Sequence, residues 1–306
     1  MKSHIFRQYD IRGIVGEDLD PEVTEAVGLA FGSRVRRDAN SSSPTVAVGC
    51  DNRTTSPALA EALISGIRSA GVDVFDVGTV PTPVLYWSEV TLGADAGVQI
   101  TGSHNPPEWN GIKMTYGGSS LYGDAIQDLL RSIQASSFTS GSGGYERLTV
   151  LDRYVDDISG RFNLGRPMRV VVDCGNGTGS LLAVRLLEAI GVEVTPLFCE
   201  SDPTFPNHHP DPTVDENLID LIRTVESGNH DLGVAFDGDA DRIGAVDDRG
   251  RIIRGDILLL LFGLDLLKKR GPGQKVIFDV KCSQVLPELF EEAGGEPIMW
   301  QTGHSL

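Results

Sequence analysis

Residues 45–77 read TVAVGCDNRTTSPALAEALISGIRSAGVDVFDV. The apolar, β-branched start (45–51) predicts a strand that ends near polar residues. From Pro57 to Ala70 the apolar positions fall at helical spacing, and Gly71 stands where a helix C-terminus wants a left-handed residue. Val72–Val77 then reads as a second strand. Strand, helix, strand at this length is the right-handed parallel crossover, and strands with little alternation predict a sheet covered on both faces.

The same unit recurs twice. RVVVDC (169–174) is followed by GNGTG, a helix from about Ser180 to Ile190, Gly191 and the strand VEVTPL. KVIFDV (275–280) leads to a helix from about Ser283 to Ala293, Gly294 and Gly295, and EPIMW. The first two units each run on to a further strand that opens into a polar loop: AGVQI into TGSHN (101–105), and DLGVAF into DGDADR (237–242). Ligands of open α/β sheets gather at the carboxyl ends of strands, so these loops are the places to expect chemistry. The third unit reaches TGHS (302–305) and the chain stops at Leu306, which reads as an unfinished third domain.

The expected fold is therefore α/β, with tandem repeated domains and mixed, mainly parallel sheets. The expected boundaries are 1–148, 149–254 and 255–306. Ala135–Gly144, ASSFTSGSGG, reads as a flexible linker by content. The second boundary follows the probable hairpin IGAVDDRGRII (243–253).

A chain of 306 residues suits two or three domains, and 40% apolar content is enough for buried cores. Its 43 acidic and 26 basic side chains give a net charge of −17. Nucleic acid and anionic membrane are thus poor partners for the surface as a whole, while a local basic pocket for a phosphorylated small molecule stays open. The four cysteines, Cys50, Cys174, Cys199 and Cys282, form no C-x-x-C pair and read as reduced cysteines of a cytoplasmic protein. The N-terminus lacks the apolar core of a signal peptide, and the longest aliphatic run, Ile257–Leu264, falls far short of the roughly 20 residues that span a bilayer. Nothing in the residues sets an oligomeric state.

DGDAD places Asp237, Asp239 and Asp241 at i, i+2 and i+4, which share one face of an extended segment. Three such carboxylates repel one another unless a cation sits among them, and an all-oxygen set favours a hard ion such as Mg²⁺. An EF-hand is excluded: its glycine position holds Arg242 and its bidentate glutamate position holds Asp248. Arg242, directly after the cluster, suits a phosphate held beside the metal. Ser103 on its own residues is equally a capped turn or a nucleophile. His104 beside it cannot usually face it in an extended chain, and Asn105 breaks the G-x-S-x-G pattern of a hydrolase elbow. Gly102 allows close backbone approach, and Lys113 is a candidate phosphate partner or proton carrier. In GNGTGS the third glycine of a dinucleotide fingerprint is replaced by Ser180, and no lysine supports a P-loop. His208 and His209, in PNHHPDP, read as an ordered proline-rich loop rather than a metal site.

Taken together, YDIRG (9–13), TGSHNPPEWNGIK (101–113), DGDADR (237–242) and TGHS (302–305) resemble the motifs of the α-D-phosphohexomutases in order and spacing. Similarity to the bacterial phosphomannomutase/phosphoglucomutase branch runs along essentially the whole chain. The resemblance implies an enzyme of four domains that interconverts hexose 1-phosphate and hexose 6-phosphate through a hexose 1,6-bisphosphate. It implies that Ser103 carries the phosphoryl group, and that Asp237, Asp239 and Asp241 hold Mg²⁺ with a phosphoserine oxygen of Ser103. Tyr9, Arg12, His104, Lys113 and Arg242 would line this centre, His104 or Lys113 acting in acid/base chemistry, with Lys281 and His304 facing the sugar. The sugar-reading loop and phosphate clamp that family members carry beyond TGHS are missing, which leaves mannose, glucose and glucosamine phosphates undistinguished. The alternative expectation is a non-catalytic remnant that binds sugar phosphate or a protein partner through the edge of the third domain. A dehydrogenase is a distant third.

Overall fold

The computed structural model describes residues 1–303 and 305. The first unit comprises β1 (Ile11–Ile14), α1 (Pro21–Asp38), β2 (Thr45–Cys50), α2 (Ser56–Ser69), β3 (Asp73–Thr79), α3 (Thr82–Leu92), β4 (Ala96–Ile100), β5 (Trp109–Tyr116), β6 (Ser119–Ser120), α4 (Asp124–Gln134) and β7 (Tyr145–Arg147). The second holds α5 (Leu151–Ser159), β8 (Met168–Asp173), α6 (Ala183–Ala189), β9 (Val192–Leu197), α7 (Ile219–Ser227), β10 (Leu232–Phe236), β11 (Ile243–Asp247) and β12 (Ile252–Ile253). The third contributes α8 (Gly255–Arg270), β13 (Lys275–Phe278), α9 (Val285–Glu292) and β14 (Glu296–Met299).

The repeat read from the sequence is a repeat of topology. The first sheet runs β1-β5-β4-β2-β3-β7, with β6 on β5, and the second runs β12-β11-β10-β8-β9. In each, the first strand of the unit lies between its crossover partner (β3 or β9, parallel) and a further parallel strand (β4 or β10). That further strand then turns back into an antiparallel neighbour, β5 or β11. The two loops at these turns, 101–108 and 237–242, therefore occupy equivalent places in their sheets. In the third unit β13 and β14 pair in parallel, as β2 and β3 do. Around them Ile277, Val280, Met299 and Trp300 are exposed.

Val46, Val48, Val98, Ile100 and Ile112 are fully buried at the centre of the first sheet, each side chain contributing about 1.5–3 kcal/mol of burial. The first two units are fastened to each other by α5 on α3: Trp87 Nε1 donates to Asp157 (2.6 Å) and meets the Tyr154 ring edge-on.

Two local expectations are corrected. Residues 135–144 are held rather than free, because Thr139 bonds Ser33 and the Ala70 carbonyl, while the amides of Gly141 and Gly143 bond the Ser69 and Arg68 carbonyls. The helix expected from Ser180 begins as a 3-10 turn, Thr178–Leu181, and becomes α-helical only from Ala183. Among the described residues no helix is long and apolar enough to cross a membrane.

Candidate active site

The 101–108 loop leaves β4 and returns on β5, and its shape is set from beneath by two buried side chains. Asp51, just past the end of β2, accepts hydrogen bonds from the amides of Arg53 (3.0 Å) and Gly102 (3.0 Å), the hydroxyl of Thr101 (2.8 Å) and that of Ser56. Arg53, paired with Asp51 through Nε (3.1 Å), donates to the carbonyls of Ser103 (2.8 Å), Asn105 (2.7 Å), Pro106 (2.6 Å) and Trp109 (3.1 Å). A buried guanidinium with this many partners locks the loop as a unit. A Cβ on Gly102 would lie 2.4 Å from the Arg53 guanidinium, so glycine is needed there to admit that arginine.

Ser103 takes a left-handed backbone conformation, φ 50°, a cost of order 1–3 kcal/mol that concentrates at functional sites. This is what overturns the expectation that Ser103 and His104 face apart: the turned backbone brings Ser103 Oγ to 3.1 Å from His104 Nδ1. The Ser103 hydroxyl donates to Asp237 Oδ2 of the second unit at 2.8 Å. Its proton is thereby committed, which makes the Nδ1–H tautomer of His104 the donor to the serine oxygen. Burial, assisted by the charges of Arg242 and Arg12, pushes His104 down to about 4, so its ring is neutral near pH 7.

The Asp cluster converges by a different geometry from the pleated face expected. Asp237 follows β10, the amide of Ala240 bonds the Asp237 carbonyl (3.0 Å), and Ala240 is left-handed at φ 56°. A tight turn thus gathers the three side chains, and one oxygen from each lies within 4.8 Å of the others. The hydroxyl of Thr82, at the start of α3, donates to Asp239 Oδ2 (2.6 Å), and its amide bonds the Asp239 carbonyl (2.9 Å). Lys113, on β5 opposite Gln99, reaches Asp239 (2.7 Å) and Asp241 (2.6 Å). Burial works to lower the Lys113 ammonium, but these two carboxylates overcome it and raise it above its ordinary value. Asp239, penalised by burial, is brought below the ordinary carboxylate range by Lys113 and Thr82. Asp237 is pushed well above that range by burial and by its two acidic neighbours.

These residues fit a divalent cation. Three acidic side chains gather around a single ammonium, and the proton that burial favours on Asp237 is one that a bound cation would displace. Asp239 Oδ1 is buried with no hydrogen-bond partner among the described residues, an oxygen whose burial without a partner is costly. All the ligands on offer are oxygen, which suits a hard ion such as Mg²⁺.

The other expected site residues divide. Arg12, on β1 beside β5, pairs with Asp10 and acts on His104 together with Arg242. The Arg242 amide bonds Asp237 Oδ1 (3.1 Å). Tyr9 precedes β1, and its carbonyl accepts from Ser305 at 3.5 Å. Lys281 lies on an exposed loop of the third unit, 72% exposed, and pairs with Asp279 (3.4 Å) rather than with the Ser103 or Asp237–Asp241 groups. His304 lies outside the described residues.

Sequence reasoning passed over Asp51, Arg53 and Thr82, which touch the loops from other elements. It also left His208 and His209 as loop residues. His209 Nε2 donates to the His104 carbonyl, while His208 Nε2 bonds Asp173 (3.0 Å), so the proline-rich segment reaches the serine loop.

Comparison with known proteins places this geometry. Three family models, described as phosphoglucomutase/phosphomannomutase alpha/beta/alpha domains I, II and III, match residues 3–140, 152–250 and 254–306. The chain is 48% identical over 306 residues to a phosphomannomutase/phosphoglucomutase of Pseudomonas aeruginosa, covering 100% of this chain and 65% of that protein. It is 45% identical over 303 residues to a phosphoglucomutase of Neisseria gonorrhoeae, covering 98% and 65%. A crystal structure of a phosphoglucomutase/phosphomannomutase family protein from Burkholderia thailandensis superposes with a TM-score of 0.95 at 46% identity, covering 100% of this chain and 68% of that one. The chain thus spans about two thirds of the length of these relatives.

Proposed function

Because the chain belongs to the phosphoglucomutase/phosphomannomutase family, we propose that it interconverts hexose 1-phosphates and hexose 6-phosphates by passing a phosphoryl group through Ser103. The observation that carries this is the meeting of two loops from different domains. Ser103 Oγ lies 2.8 Å from Asp237, while Lys113 of the same domain as Ser103 bridges Asp239 and Asp241.

In this reading a hydroxyl of the sugar attacks the phosphorus of phosphorylated Ser103. The bond to Ser103 Oγ breaks, the sugar becomes a hexose 1,6-bisphosphate, and the phosphate at its other end then returns to Ser103. Asp237, Asp239, Asp241 and a phosphoserine oxygen would hold Mg²⁺, which supplies charge stabilisation for the transferred group. His104 is neutral near pH 7, and with Nδ1–H turned to Ser103 it would take the proton of the attacking hydroxyl on Nε2. Lys113, held protonated by two carboxylates, contributes positive charge rather than a base. Arg12 and Arg242 offer planar guanidinium groups to phosphate oxygens. Tyr9 is assigned to the lining of this centre, and Lys281 and His304 to the sugar side. Residues 1–148 carry the serine loop, 149–254 the metal loop and 255–306 the sugar-facing loop. The substrate is a mannose or glucose phosphate, and the four free thiols suit the cytoplasm.

Turnover of hexose 1-phosphate, with a trace of the bisphosphate and Mg²⁺, tests the proposal. Activity that vanishes in Ser103→Ala supports it. Sugar-phosphate binding with no turnover in the parent protein favours the non-catalytic alternative.

A further inference from the structure

The four thiols differ in their surroundings. Cys50 lies in β2 with the Thr79 hydroxyl 3.7 Å from its sulfur, and burial pushes it up to about 11. Cys174 and Cys199 follow the neighbouring parallel strands β8 and β9, and their Sγ atoms are 3.1 Å apart. A disulfide needs about 2.05 Å, so a closure of about 1 Å joins them. Cys174 is fully buried and Cys199 half-buried, so a small oxidant meets Cys199 first. Contact between the two lowers the Cys199 thiol and raises that of Cys174.

The pair stands directly behind the metal loop. Cys174 opens the turn 174–178, in which the Gly177 amide bonds the Cys174 carbonyl (2.8 Å). The Asn176 amide bonds the Phe198 carbonyl (2.8 Å), and its side chain bonds the Glu200 carbonyl (2.8 Å), so the turn is tied to both sides of Cys199. At its far end Thr178 donates through its amide (2.9 Å) and hydroxyl (3.1 Å) to the carbonyl of Gly238, between Asp237 and Asp239.

We propose that Cys174 and Cys199 are a redox modification site, closed to a disulfide by peroxide and reopened by thiols, and that closure weakens cation binding at the Asp cluster. Cys199 gives up its thiol proton, its sulfur attacks a peroxide oxygen, the O–O bond breaks, and the departing hydroxide takes up that proton, leaving sulfenic acid and one water. The Cys174 sulfur then displaces the sulfenic oxygen, which leaves with two protons as a second water. The thiols lose two electrons and the peroxide gains them. The thiol chemistry stands by itself; the coupling rests on the metal reading above.

The test treats the protein with hydrogen peroxide, counts alkylatable thiols, maps disulfide-linked peptides without reduction, and titrates Mg²⁺ calorimetrically before and after. The expected result is a fall from four free thiols to two, a Cys174–Cys199 cross-link reversed by dithiothreitol, and Mg²⁺ affinity weakened about tenfold, the lower end of the loss that follows disturbance behind metal ligands. Retention of four alkylatable thiols, or a cross-link through Cys50 or Cys282, overturns the modification site. A Cys174–Cys199 cross-link with unchanged Mg²⁺ affinity overturns the coupling. Reduced protein that binds no Mg²⁺ refutes the metal reading and the coupling with it, while the thiol count and peptide map still decide the site.

Discussion

Gly238→Ala is the smallest change that separates the serine loop from the loop of the Asp cluster. A Cβ on Gly238 would lie 2.4 Å from the carbonyl oxygen of Ser103, short of the 3.4 Å of ordinary van der Waals contact by about 1 Å. Gly238 does not take a positive φ, so alanine meets no backbone penalty and the effect is steric alone. Neither side yields cheaply, since the Ser103 carbonyl is held by Arg53 and the Gly238 carbonyl by Thr178. The loops therefore move apart by up to about 1 Å, a displacement that costs about 100-fold in a reaction governed by positioning, or about 2.7 kcal/mol of barrier. Crowding itself costs stability, roughly 1–3 kcal/mol. The assay is single-turnover transfer from a hexose 1,6-bisphosphate to Ser103, with Gly165→Ala as control, because a Cβ at Gly165 meets open space. A Gly238→Ala rate within about threefold of the parent would refute the claim that close contact of these two backbones sets the reaction.

Other outcomes follow from the same contacts. Lys113→Met leaves Asp239 and Asp241 without their ammonium, and removal of one member of a buried pair costs about 3–5 kcal/mol. Thermal melts should show a large loss without Mg²⁺ and a larger rescue by Mg²⁺ than in the parent, and an unchanged melting temperature contradicts the pairing. For His208, burial acts downward but the Asp173 carboxylate outweighs it, raising the ring above its ordinary value of about 6.5. Stability from this pair is fully present below the unfolded value and is lost as pH rises through the folded value. Denaturant midpoints should fall over that window in the parent and flatten in His208→Gln; equal pH dependence in both proteins counts against the pair.

The parts of the molecule that were legible in the sequence are those written locally. Apolar runs, helical spacing and closing glycines expose the three units, since each needs only contiguous residues. The convergence of Asp237, Asp239 and Asp241 was anticipated from their spacing, although the tight turn at Ala240 gathers them and not a pleated strand. The Ser103–His104 contact was hidden because it depends on a left-handed serine, which no local signal marks. Asp51, Arg53 and Thr82 were hidden for another reason: they reach the loops across sheet order and across domains, over separations of up to 157 residues for Thr82 and Asp239. A polar pair just past β2, at the end of a buried strand, was the one available hint for Asp51 and Arg53.

The central claim is that Ser103 accepts and donates a phosphoryl group. Intact mass and phosphopeptide mapping after incubation with hexose 1,6-bisphosphate and Mg²⁺ test it most directly. The account predicts one phosphoryl group on Ser103, removed on addition of hexose 1-phosphate and absent in Ser103→Ala. A protein that stays unmodified, or that carries the group on another residue, contradicts it.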